Sequence, residues 1–172
     1  MKPYISDYNI NKILDSAVIL IDTREKENQH IIDWLEKTKT PYEVKKLDYA
    51  DYAMKIPKNE TFGIMYDMLC EYVVERKASL EEISGNLTED RTRIEEELWR
   101  GLGHIDIVIE NGSVDDIYQA KYRTKYDHKA FIATLLSFQR RYGMRFHFVS
   151  KLNSPKYIYA LLKYGAREEL LK

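Results

Sequence analysis

Apolar and polar positions recur along this chain with two periods, and each period marks a different kind of element. Residues 7–16 read as a short lead-in helix within an opening segment 1–16. Ala17–Asp22 (AVILID) is a continuous apolar run ending on an acid, which predicts a central strand. His30, Ile31, Trp34 and Leu35 recur at helical spacing and predict a helix from about Asn28 to Thr38; Pro41 blocks its continuation. Tyr42, Val44 and Leu47 suggest a second strand, and Asp51–Ile56 a third that Pro57 stops. In residues 58–69, Ile64, Met65, Met68 and Leu69 suit either a helical turn or a hairpin arm. Glu71–Arg76 is the fourth strand.

Thr88 to Arg100 reads as one helix with Thr88 as its cap. Ile105–Ile109 (IDIVI) is a strand, followed by the turn signal Asn111-Gly112. Lys129 to Tyr142 carries Phe131, Leu135 and Phe138 on one helical side, and Gly143 stops it. Arg145–Val149 is the last strand. Ser154-Pro155 opens a terminal helix, with Ser as cap and Pro in the first turn. This alternation predicts a single α/β domain with helices on both faces of a central sheet.

The chain has 172 residues, is 44% hydrophobic and 32% charged, and so suits one folded domain rather than a disordered chain. One cysteine, Cys70, excludes an intrachain disulfide and suits a reducing cytoplasm. No apolar run is long enough for a signal peptide or a membrane span, so no membrane partner is expected. The net charge of −1 hides an asymmetry: residues 119–172 hold 12 Lys and Arg against 3 Asp and Glu. A basic segment of this kind attracts phosphate backbones, although such charges also lie scattered on solvated helix faces. His30, His104, His128 and His147, with Cys70, show no zinc spacing.

Acids stand at predicted strand ends: Asp22 after AVILI, Asp51 before YAMKI, Glu75 after YVV. Buried carboxylates that converge repel one another unless a cation joins them. Side chains alternate along a strand, so Glu75 and Lys77 share a face while Arg76 points away. Acids that hold Mg²⁺ beside a Lys that meets phosphate and water make a D…ExK nuclease arrangement. On its own, an E-x-K pair on a strand is more often a surface ion pair.

The surrounding residues narrow the choice. Ile21-Asp22-Thr23-Arg24-Glu25, then Ala50-Asp51-Tyr52, then Val74-Glu75-Arg76-Lys77 resembles the XPF/ERCC4 nuclease family, whose pattern is V/I-D-x-R-E, G-D-Y and V-E-R-K-x-x-x-D. Leu87 and Arg91 resemble its S-L-x-x-x-R helix start, and FIATLLSFQRRYGMRFHFVSKLNSP its later helix, strand and Ser-Pro opening. The resemblance spans about residues 17–165. Three departures stand out: Ala50 for the family's Gly, an insertion at 58–70, and Glu for the closing Asp, at Glu81 by strict spacing or Glu82 by its acid-apolar pairing.

The resemblance implies a restriction-nuclease-like domain over 17–172; many relatives add a helix-hairpin-helix domain, but the length of this chain leads to the expectation of none. It implies a Mg²⁺-dependent endonuclease (Mn²⁺ substituting) that cuts branched or flapped DNA in repair or recombination. Asp51 and Glu75 then hold the metal, Asp22 is a further ligand or an outlying acid, Glu82 closes the set, Arg24 and Glu25 brace the pocket, Arg76 holds an acid or phosphate, and Lys77 faces substrate. Lys121, Arg123, Lys125 and Lys129 form a basic loop suited to the DNA backbone. The family pairs through its C-terminal helices, so a homodimer is expected; the apolar richness of Phe131–Phe138 and Tyr157–Leu162 points the same way. The setting is cytoplasmic, that of the host for a phage-encoded protein. An inactive nuclease-like module that binds DNA or protein is the alternative, and a sequence-specific restriction enzyme a third possibility.

Overall fold

The computed structural model describes residues 6–172; residues 1–5 of the expected lead-in segment lie outside it. Ser6 caps α1 (Asp7–Asp15), its hydroxyl accepting from Asn9 N at 3.3 Å. There follow β1 (Val18–Ile21), α2 (Gln29–Lys37), β2 (Tyr42–Val44), β3 (Tyr52–Ile56), β4 (Met68–Leu69), β5 (Val73–Lys77), α3 (Leu80–Thr88), α4 (Arg91–Arg100), β6 (Ile105–Glu110), α5 (Val114–Tyr118), α6 (His128–Tyr142), β7 (Arg145–Val149) and α7 (Ser154–Leu171).

The strands form one mixed seven-stranded sheet in the order β2-β1-β3-β5-β6-β7, with β4 paired to β3. β1 runs parallel to β2 and antiparallel to β3, β3 is antiparallel to β5, and β5, β6 and β7 are parallel. Strand alternation sends side chains to two cores. Ile19, Ile21, Met54, Val74 and Val108 meet Ile13, Ile31, Leu35, Ile158 and Leu162 on the α1–α2–α7 side. Leu20, Ala53, Val73, Ile107 and Ile109 meet Ile83, Leu87, Ile94, Leu98, Phe131 and Phe138 on the α3–α4–α6 side. The result is the α/β domain, a central mixed sheet flanked by helices, that the patterning predicts.

Several boundaries differ from the sequence expectation, each for a local reason. The helix predicted from Thr88 to Arg100 begins only at Arg91, and a helix that the sequence reading lacked, α3, precedes it and ends at Thr88. Leu80, Ile83, Ser84 and Leu87 are buried at helical spacing, and Ser79 caps them by accepting from Glu82 N at 3.3 Å. Thr88 ends that helix, its hydroxyl donating back to Ser84 O at 2.9 Å. The second strand stops at Val44, short of Leu47. The fourth strand starts at Val73 rather than Glu71, because the Glu169 carboxylate accepts from Glu71 N at 2.9 Å and Tyr72 N at 3.2 Å. Residues 58–69 hold a 3-10 turn at Glu60–Phe62, an Asn59–Ile64 bridge and then β4, so the hairpin-arm reading holds. Ser154 lies inside α7, where Asn153 takes the cap position, and its hydroxyl donates to Glu110 instead. Gly143 ends α6 with φ 63°, a conformation glycine adopts without cost.

Phe131, Leu135 and Phe138 are all buried in the core. The apolar richness of α6 therefore covers the sheet and leaves no spare stripe from these residues.

Candidate active site

Chain ends on one side of the sheet bring the strand-end acids together. β1 leads into Asp22, whose N–H donates to Asp51 O at 2.8 Å, while Asp51 N–H donates to Val74 O at 3.1 Å. These bonds tie the entry of β3 between β1 and β5 and set Asp51 beside Glu75. Along β5, Val73 packs into the α3–α4–α6 core and Val74 into the other, so Glu75 and Lys77 face α3 while Arg76 faces α2 and α7.

Lys77 Nζ lies 2.5 Å from Glu75 Oε1 and 3.8 Å from Glu82 Oε1. Glu82 Oε2 also accepts from Ala78 N at 2.7 Å. Glu81 turns elsewhere, accepting from Arg123 N at 3.2 Å. Of the two acids left open by spacing, Glu82 is thus the one beside Lys77. Asp51 Oδ2 accepts from Arg76 N at 2.8 Å.

The electrostatics of this face are strained. Burial, and then the charge of Glu25, push the Asp51 carboxyl well above the ordinary carboxylate range. Burial, and then the charge of Asp51, push Glu75 up likewise, against the attraction of Lys77. Burial alone would lower Lys77, but the charge and hydrogen bond of Glu75 outweigh it and hold the ammonium above its usual value.

Asp22 stands apart from this pair. Burial would raise it, but bonds from the Arg24 side chain and from Leu47 and Arg24 N–H outweigh that and keep it below the ordinary value. Its oxygens accept from Arg24 Nε at 2.6 Å, Arg24 N at 2.8 Å and Leu47 N at 2.6 Å. Asp22 organises the turn after β1, with Arg24 lying over it. Arg76 is buried and spans two acids, Glu25 Oε1 at 3.1 Å and Glu110 Oε2 at 3.2 Å, and donates to Glu27 O at 2.6 Å. Burial pushes Glu25 up even so. Glu110 in turn meets His30 Nε2 at 2.8 Å and the Ser154 hydroxyl. Arg76 therefore grips acids beneath the strand and is not presented to solvent.

The basic loop between α5 and α6 borders the same face. Lys121, Arg123 and Lys125 are exposed, alternating with half-buried Tyr122, Thr124 and Tyr126; Lys129 follows, exposed, in the first turn of α6. Thr124 meets the Ser84 hydroxyl of α3 at 2.8 Å, and the Phe131 ring meets Tyr122 edge-to-face and Tyr126 at a tilt, each with centroids 5.4 Å apart. The alternation points the cations outward.

Sequence reasoning misses Glu97. It lies on α4, accepts from Ala50 N at 3.3 Å, and its charge reaches both Asp51 and Glu75. Its signal is hidden in the acidic run Glu95-Glu96-Glu97, where periodicity marks only a solvated face. Among the described residues, no three His, Cys, Asp or Glu side chains are already gathered in a metal-holding cluster, and no helix is long and apolar enough to cross a membrane.

A family model described as the ERCC4 domain matches residues 21–161. The fold is similar to that of XPF from Aeropyrum pernix, with TM-score 0.62 and 20% identity over 87% of this chain and 65% of that one. It is also similar to XPF from Aeropyrum pernix in complex with DNA, with TM-score 0.58 and 22% identity over 89% and 64%. The chain thus spans a little under two thirds of the solved proteins it matches. No curated protein matches it in sequence.

Proposed function

The chain belongs to the ERCC4 domain family, and on that premise we propose that it is a divalent-metal-dependent endonuclease that hydrolyses phosphodiester bonds in branched or flapped DNA. The observation that carries the proposal is the pairing of two buried acids with a protonated Lys77 on the same strand face as Glu75: Asp51 is raised by burial and the charge of Glu25, and Glu75 by burial and the charge of Asp51.

The residues fit a hard divalent cation. Arg76 N uses one Asp51 oxygen and Lys77 one Glu75 oxygen, which leaves Asp51 Oδ1 and Glu75 Oε2 to ligate. Two carboxylates with several waters are the usual Mg²⁺ set, and a cation there offsets the burial and the neighbouring negative charges that raise the two acids. Asp51 and Glu75 would hold the ion, with Glu82 next to them; Asp22, its oxygens already taken by N–H groups, is assigned to shaping the turn. When bound, such an ion polarises the phosphate and lowers the pKa of a coordinated water. Lys77 stays protonated, so it donates to a phosphate or water oxygen and does not remove a proton. Arg76 and Glu25 fix the back of β5 and Arg24 the turn after β1. Lys121, Arg123, Lys125 and Lys129 would run along the DNA backbone. The relative solved with DNA makes a nucleic acid the natural substrate to try.

We further propose that residues 17–172 are the nuclease domain, with α1 packed onto it, that it works in the cytoplasm, and that two copies pair. The outer edge of β7 ends the sheet, and exposed Leu136 of α6 and Tyr157 of α7 flank it. Grooves of about 510 Å³, lined by His147, Phe148 and Tyr157, and about 330 Å³, lined by Leu136 and Met144, lie on either side. An open edge between two grooves of mixed lining, with Lys156 and Asn153 in one and Gln139 and Arg140 in the other, suits a second copy approaching about a twofold axis.

A panel of labelled linear, flap, fork and four-way DNAs, incubated in Mg²⁺ or Mn²⁺, tests the activity. Nicks near a branch point support the endonuclease. Binding without cutting in either metal means the inactive DNA-binding module, and discrete bands from plasmid DNA mean a sequence-specific enzyme.

A further inference from the structure

The turn that delivers Asp51 is strained, and we infer that Glu97 of α4 is the positioning residue that holds it. Ala50, immediately before Asp51, has φ 62°. In that left-handed region a Cβ crowds the following carbonyl, and glycine is the ordinary occupant. Alanine does not select this conformation by itself, so interactions from elsewhere must.

Two of them come from the end of α4. Ala50 N–H donates to Glu97 Oε1 at 3.3 Å. Gly101, which closes the same helix, lies so near the neighbouring ring that a Cβ there would stand 2.7 Å from Tyr49 Cε2. The helix end thus docks on Tyr49 and Ala50 together. Beyond the turn, the Asp51–Val74 and Asp22–Asp51 backbone bonds fix the other side. Ala50 is 2% exposed, so water is a poor substitute for the missing acceptor if Glu97 is removed. The turn then relaxes from its strained conformation and carries the Asp51 carboxylate away from Glu75. Keeping a third acid beside two that already repel is costly, and bracing the turn is what Glu97 returns.

The consequence for cation binding rests on the nuclease reading; the bracing itself does not. Two readouts separate them: amide hydrogen exchange at Asp51 and Asp22 in metal-free protein, and Mn²⁺ affinity by calorimetry. Glu97→Ala should speed exchange at both amides and weaken Mn²⁺ binding about tenfold, the low end of what losing a residue behind a metal ligand does. Glu97→Gln keeps an acceptor for Ala50 N–H and should leave exchange at the wild-type rate. Adding Ala50→Gly to Glu97→Ala should slow exchange again and recover the affinity, because glycine adopts the left-handed conformation without the steric strain that Glu97 offsets. Exchange unchanged in Glu97→Ala overturns the inference. So does a double variant as loose as the single one; if its exchange recovers while its affinity does not, Glu97 braces the turn but acts on the cation directly, and the link from bracing to affinity is wrong. A wild-type protein that takes up no Mn²⁺ refutes the cation reading, while the exchange rates still decide the role of Glu97.

Discussion

In the proposed reaction the chemistry turns on Lys77. Beside Glu75 it keeps its charge, and nothing else on that strand face offers a donor at the same place. Lys77→Ala should cut DNA about 10²–10⁴-fold more slowly while binding it nearly as well, the usual cost of losing a positioned catalytic group; near-normal turnover in a single-turnover assay would remove Lys77 from the mechanism. Asp51 gives a prediction with a pH sign. Its folded-state value is raised above the ordinary carboxylate value of an unfolded chain. Metal-free folding is therefore favoured at low pH and weakened as pH rises through the raised range. Asp51→Asn keeps an acceptor for Arg76 N–H and removes that penalty. In EDTA its melting temperature should exceed wild type by about 3 °C at pH 8, what about 1 kcal/mol does in a domain of this size. The gap should close near pH 4, and calorimetric melts at both pH values check it. Asp51, Glu75 and Lys77 were legible because strand alternation and a charge at a strand end are local signals. Glu97 was not, since its role depends on where a helix end lands.

At the scale of elements, the loop between α5 and α6 is built to present charge. Its tyrosines lean on Phe131 and its lysines and arginine face out. Changing Lys121, Arg123 and Lys125 together to Glu should weaken DNA binding and flatten the slope of log affinity against log salt by about three, close to one for each phosphate no longer neutralised. An unchanged slope would put the DNA elsewhere. The same loop rests on α3, whose cap is Ser79; Ser79→Ala should cost about 1 kcal/mol in urea melts. Strands and long helices were readable from periodicity. Helix α3 was not, although Leu80, Ile83 and Leu87 recur at helical spacing, because this nine-residue stretch follows directly on the charged end of β5. The five-residue α5 is too short for its pattern to stand out, although Ser113 caps it by accepting from Asp116 N at 3.1 Å.

For the whole molecule, the alternation of strands and helices led to the layered α/β form but not to the strand order. β3 enters antiparallel between β1 and β5, and that pairing brings Asp51 to Glu75 across 24 residues of chain. Such long-range register is set by both cores at once, beyond any local pattern. Pairing of two copies along β7 should give a dimer in light scattering at micromolar concentration, and Leu136→Asp with Tyr157→Asp should yield folded monomers. The central claim is that paired acids and Lys77 make a cation-dependent nuclease. It is tested most directly by incubating a labelled flap duplex with wild-type protein and with Glu75→Gln in Mg²⁺, Mn²⁺ and EDTA. Wild type should incise in the two metals and not in EDTA, and Glu75→Gln should not incise at all. Binding of the duplex without incision in either metal, or incision that survives EDTA or Glu75→Gln, would contradict it.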